Sequence, residues 1–133
     1  MKLYLDASAL VKRYVAEPGT EVVRKAMTDA DGWYMCRAGF VETVRAVGLA
    51  AGAEAAAAVA QEWPAFGVVE VGQSLVEHAA ALALRHDLRS LDSIHLAAGL
   101  LLPGEDLAFA TWDHRLHAAA RAEGLALIPA TLD

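Results

Sequence analysis

Three aspartates stand where a short apolar run gives way to small residues or to a helix-forming segment. LYLD ends on Asp6, LRSLDSIHLAAG carries Asp92, and LAFATWD ends on Asp113. Carboxylates gathered without thiolates or a histidine cluster favour hard cations, Mg²⁺ or Mn²⁺. One or two such ions generate a hydroxide nucleophile, orient it and neutralise charge on a phosphodiester in line with attack. Phosphodiester hydrolysis is the chemistry these residues suggest, provided the fold brings them together.

Each acid also has a plainer reading. Asp is a good N-cap and favours the positive end of a helix dipole, so Asp6 and Asp113 could each cap the helix that follows. In a parallel sheet, however, two strand-end carboxylates lie at one edge and can share a cleft. Asp92 falls in the first turn of a segment with Ser90 as a candidate cap. Leu91, Ile94, Ala98, Leu101 and Leu102 cover one wide face of that segment, and Asp92, His95 and Gly99 fall together on another. An ionised carboxylate on so apolar a helix is expensive unless it is paired, hydrogen-bonded or bound to metal. His95, one turn on, reads as a core histidine or as a group that orients Asp92. Glu42 lies opposite the stripe Phe40, Val44, Val47 and three residues before Arg45, which on its own reads as an exposed intrahelical ion pair.

Other chemistries lack their signatures. Asp113-His114 with His117 resembles a fragment of a zinc site, but no third histidine or cysteine is suitably spaced. There is no GxxxxGK[ST], GxGxxG or GxSxG. A phosphatase with a strand-end Asp nucleophile wants a second Asp two residues on, where this chain has Ser8.

The elements that must position these residues follow from the hydrophobic pattern. Strands are expected over residues 2–6, 32–36, 68–71, 107–111 and 125–128. Helices are expected over residues 8–14, 20–28, 38–51, 53–63, 74–86, 90–102 and 113–123. Short apolar strands alternating with amphipathic helices indicate an α/β three-layer sandwich: a mainly parallel central sheet of four to five short strands flanked by helices. In such sheets ligands bind beyond the carboxyl ends of the strands.

With 133 residues the chain is expected to form a single domain, 1–133. Though it is 56% hydrophobic, no stretch approaches the roughly 18 to 20 apolar residues of a membrane span. No secretory pattern opens the sequence, and Cys36 is alone, which excludes an internal disulfide and fits a reducing compartment. A cytoplasmic protein with no membrane partner is expected. The net charge of −6 argues against binding nucleic acid through a broad basic surface. The basic residues nearest the acids in sequence are Arg37, Arg45, Arg89 and Arg115, each a candidate phosphate contact or a surface ion pair.

Taken together, LYLDASALVKRY, LRSLDSIHLAAG and ATWDHRLHAAARAEGL resemble the PIN-domain family, in particular its VapC-like toxin ribonucleases. The resemblance covers essentially the whole chain in order. It places the family's acids on Asp6, on Glu42 in AGFVETVRAV, on Asp92 and on Asp113, with Ser8 beside the first and Thr111 as the small hydroxyl residue before the last. The segment CRAGF departs from the usual Ser- or Thr-rich approach to the second acid. The resemblance implies Mg²⁺- or Mn²⁺-dependent endoribonuclease activity on RNA, homodimerisation, and inhibition by a cognate antitoxin protein. Asp6, Asp92 and Asp113 would hold the cation, and Glu42 would complete the cluster or position the attacking water. The alternative is a PIN-like module that binds RNA or protein without cutting.

Overall fold

The apolar run that leads to Asp6 forms the middle of the sheet. In the computed structural model, which describes residues 1–132, β1 (Lys2–Leu5) lies between β2 (Gly32–Cys36) and β4 (Leu107–Ala110). The sheet extends to β3 (Gly67–Val69) beyond β2 and to β5 (Ala126–Ile128) beyond β4, giving the order β3-β2-β1-β4-β5. Every pairing is parallel, with Leu5 opposite Ala110 at the carboxyl ends of β1 and β4. A central parallel strand is covered on both faces, which is why LYL shows no polar alternation.

Alternate residues of β1 feed two cores. Leu3 and Leu5 pack with Ala9 and Leu10 of α1 (Ala7–Tyr14) and with Val23 and Met27 of α2 (Thr20–Asp29). Tyr4 points the other way. It packs with residues of α5 (Gln73–His86), α6 (Ser90–Leu101) and α7 (His114–Ala122), and its ring stacks on Phe109 at 5.1 Å between centroids. Helix α3 (Arg37–Ala51) follows β2 directly and packs on α1 and on α4 (Ala53–Glu62). The three-layer α/β expectation holds, with all five described strands parallel.

Boundaries shift where local chemistry dictates. Helix α4 passes at Trp63–Ala65 into a 3-10 turn, because Pro64 has no N–H to donate back along the helix. Strand β3 begins at Gly67 and ends at Val69, earlier than the apolar run suggests. Helix α6 also buries the face that carries His95 and Gly99: Leu101 is 64% exposed, whereas His95, Leu96, Ala98 and Gly99 are buried, and Ile94 packs against the same core. Gly99 is the reason. A Cβ there would lie 2.7 Å from the Phe109 ring, so only glycine lets the helix settle this closely onto the sheet. Among the described residues, no helix is long and apolar enough to cross a membrane.

Candidate active site

Because β1 and β4 are adjacent and parallel, Asp6 and Asp113 emerge at the same sheet edge. Both do cap helices: Asp6 Oδ1 accepts from Ala9 N–H at 2.9 Å, and Asp113 Oδ1 accepts from Leu116 N–H at 2.9 Å. Capping and ligation are not exclusive, since a carboxylate offers about four acceptor sites. At Asp6 the Ser8 hydroxyl donates to Oδ1 at 2.7 Å and the Thr111 hydroxyl to Oδ2 at 2.6 Å. Backbone N–H groups of Trp112 and Asp113 donate in turn into the Ser8 and Thr111 oxygens, at 2.9 and 3.1 Å. Those bonds turn both hydroxyl hydrogens toward Asp6 and tie the β4–α7 loop to the start of α1. Asp6 is 3% exposed. Burial pushes its carboxyl above the ordinary carboxylate range, against the opposing pull of the His95 charge and the three donors.

Asp92, in the first turn of α6, faces Asp113 across the Arg89 guanidinium, which lies 3.3 Å from Asp92 Oδ2 and 3.4 Å from Asp113 Oδ2. Burial raises the Asp92 carboxyl, and repulsion from Asp113 raises it further, with Arg89 opposing both. Arg89, Asp92, Asp113, His114 and Arg115 line an open cleft of about 460 Å³. The segment LRSLDS thus carries both an acid and its counter-charge. The cap position of α6 is Arg89, and Ser90 is already helical.

Glu42 is not the exposed partner of Arg45 that its spacing suggests. Its Oε1 accepts from His95 Nε2 at 2.6 Å, across two elements. His95 is 1% exposed, and its Nδ1 lies 2.8 Å from the Tyr4 hydroxyl, which also accepts from the Cys36 N–H at 3.0 Å. The partner of the histidine is therefore Glu42 rather than Asp92. Burial alone would lower the imidazole, but contacts with Cys36 and Glu42 overcome it and push its pKa up to about 10. Sequence reasoning missed Tyr4, which looks like one more apolar strand residue. The only clue was a phenol in the middle of a buried strand, where a hydroxyl needs a partner.

Of the basic residues nearest the acids in sequence, only Arg89 bridges them. Arg37 pairs with Glu70 and Arg115 with Asp87, all exposed, while Arg45 is exposed on α3. His114 and His117 do not join the acids as a zinc set: His117 Nε2 is 2.7 Å from the Pro129 carbonyl.

Among the described residues, no three His, Cys, Asp or Glu side chains stand close enough to hold a metal ion as they are. The donor set nevertheless fits a hard cation. Asp92 and Asp113 repel one another and are held by a borrowed positive charge, and Asp6 keeps an acceptor site on Oδ2. Arg89 is 82% exposed, so the charge that now separates the pair is free to withdraw into solvent.

A family model described as PIN domain matches residues 3–122. Among curated relatives from Mycobacterium tuberculosis (strain ATCC 25618 / H37Rv), Ribonuclease VapC49 is 34% identical over 98% of this chain and 97% of its own. Ribonuclease VapC46 is 33% identical over 95% of each. The fold resembles the crystal structure of Mycobacterium tuberculosis VapC20, described as a sarcin-ricin loop cleaving toxin. The TM-score is 0.76, with 17% identity over 92% of this chain and 95% of that one. It also resembles a toxin-antitoxin complex from Klebsiella pneumoniae, with a TM-score of 0.73 and 14% identity over 98% and 99% of the two chains.

Proposed function

The chain belongs to the PIN-domain family, and on that footing we propose that it is an endoribonuclease, the toxin of a toxin–antitoxin pair, that hydrolyses RNA phosphodiester bonds with a divalent cation. The observation that carries this reading is the pairing of Asp92 and Asp113 around one positive charge, beside the buried Asp6 at the same sheet edge. Mg²⁺ suits an all-oxygen set, and Mn²⁺ is acceptable to it.

Asp6, Asp92 and Asp113 would hold the cation, with Glu42 completing the cluster or accepting a hydrogen bond from the attacking water. When bound, the cation lowers the pKa of water and offsets charge on the phosphate. Ser8 and Thr111 hold Asp6 in one orientation through hydroxyls that are themselves fixed by backbone N–H groups. Arg89, once withdrawn from the acids, and Arg115 at the cleft rim are placed to meet phosphate oxygens of the RNA. A cognate antitoxin, homodimerisation and a cytoplasmic setting for residues 1–133 as one domain complete the reading. The relatives' names support the ribonuclease activity, and the toxin–antitoxin neighbour supports the antitoxin partner.

The test is to strip the purified, antitoxin-free protein with chelator and assay cellular RNA with and without added Mg²⁺ or Mn²⁺. Cleavage that returns with the ion supports the reading. RNA that stays intact under both ions would leave the chain as a PIN-like binding module.

A further inference from the structure

We propose that His95 is a positioning residue for Glu42, set by a buried chain of hydrogen bonds that passes through the central strand. The inference rests on the metal-site reading above. Cys36 N–H donates to the Tyr4 hydroxyl at 3.0 Å, that hydroxyl holds His95 Nδ1 at 2.8 Å, and His95 Nε2–H meets Glu42 Oε1 at 2.6 Å. The chain thus runs from β2 through β1 and α6 to α3. It ends on Glu42, which, unlike Asp6 and Asp113, caps no helix.

The packing around the ring is built for this reach. Tyr4 is fully buried and stacked on Phe109, so its hydroxyl has no freedom to leave Nδ1. The T-shaped contact between Tyr4 and His95, 5.8 Å between centroids at 75°, fixes the plane of the imidazole. Gly39 lies one turn before Glu42 on α3. A Cβ there would stand 3.0 Å from His95 Cε1 and 2.6 Å from Met35 Sδ. Glycine therefore leaves the space through which the imidazole passes to reach the next turn. Glu42 itself is 29% exposed, so without His95 its long side chain would sample several rotamers in solvent instead of the one held against Nε2. Outer partners of this kind typically contribute about 10- to 100-fold in metal affinity or activity.

The experiment compares Mn²⁺ affinity, read by electron paramagnetic resonance, with thermal stability for the parent, His95→Leu, His95→Gln, Glu42→Gln and the double variant His95→Leu/Glu42→Gln. Gln can present an amide N–H near the position of Nε2. The expected result is about a 10-fold or greater weakening of Mn²⁺ binding in His95→Leu and partial recovery in His95→Gln. The double variant should be no weaker than Glu42→Gln alone, because the two residues act as one unit. Should His95→Leu fail to fold, His95→Gln against Tyr4→Phe gives the same comparison. Tyr4→Phe is expected to weaken binding, since it frees Nδ1.

A histidine that only stabilises the core would lower the melting temperature while leaving the Mn²⁺ affinity of the folded protein unchanged. That outcome overturns the positioning role and leaves the metal site standing. A parent protein that binds no Mn²⁺ overturns the metal-site reading and this proposal with it.

Discussion

Asp92 and Asp113 lie 21 residues apart in the sequence and meet at one guanidinium, that of Arg89, at 3.3 and 3.4 Å. An exposed ion pair of this length contributes little to stability. Its meaning is electrostatic: Arg89 offsets the repulsion between two carboxylates, and on the proposed reading a divalent cation would take its place.

That relationship predicts competition. Millimolar Mg²⁺ or Mn²⁺ should raise the melting temperature, with a shift that grows with ion concentration as binding to the native state requires. Arg89→Ala should unfold earlier without metal and show a larger shift with Mn²⁺, because a competing charge has gone. A shift in Arg89→Ala smaller than the parent's, measured by differential scanning fluorimetry, would contradict the competition.

Asp6 combines a cap with a charge, and the two can be separated. Asn caps a helix as well as Asp does, whereas Ala loses roughly 0.5–2 kcal/mol of cap stability. Asp6→Asn keeps an acceptor for the cap but exchanges the Oδ2 that accepts from Thr111 for an amide donor, so it should unfold in urea below the parent's midpoint yet above that of Asp6→Ala, while losing cleavage. Asp6→Ala should lose both. Cleavage retained in Asp6→Asn would reduce Asp6 to a cap.

The imidazole of His95 predicts a pH dependence of stability. Its ordinary pKa is 6.5, and in the folded protein it is pushed up to about 10, first against burial and then by Cys36 and Glu42. A raised pKa means that the folded state holds the proton more tightly. The stability it contributes is therefore complete below about 6.5 and is lost as pH climbs through 10. Melting temperatures of the parent should fall between pH 7 and pH 10 more steeply than those of His95→Gln. Parallel curves would show that His95 does not carry the change.

Gly99 tests the seating of α6. Adding a methyl 2.7 Å from the Phe109 ring overpacks the interface, and Gly99→Ala should cost about 1–3 kcal/mol in a denaturant titration. Combining it with Phe109→Leu should cost less than the sum of the two single changes, since the smaller side chain relieves the clash.

How much of this was legible in the sequence differs by element. The strand ends that deliver Asp6 and Asp113 could be read because a buried parallel strand is a short uninterrupted apolar run, and both runs stop abruptly. The first-turn place of Asp92 also followed from periodicity. What periodicity left open was the seating of α6, a helix apolar nearly all round. Close approach to Phe109 buries the face with Gly99, and Leu101 is left in solvent. Glu42 was misread locally for a related reason: its partner is 53 residues away, not three. The Tyr4–His95 contact spans 91 residues, and no local pattern encodes a pairing of that range. The sequence offered capping of α1 by Asp6 but ranked it below metal ligation; the structure shows the cap plainly.

On the proposed reading Asp6, Glu42, Asp92 and Asp113 work as one divalent-cation site that cuts RNA. The most direct measurement is the single-turnover cleavage rate of Asp92→Asn beside the parent, at saturating Mg²⁺, with folding of both verified by circular dichroism. A divalent cation contributes several kcal/mol to transition-state charge, so the account predicts a loss of at least about 100-fold. A folded Asp92→Asn protein that cuts at the parent's rate would contradict it.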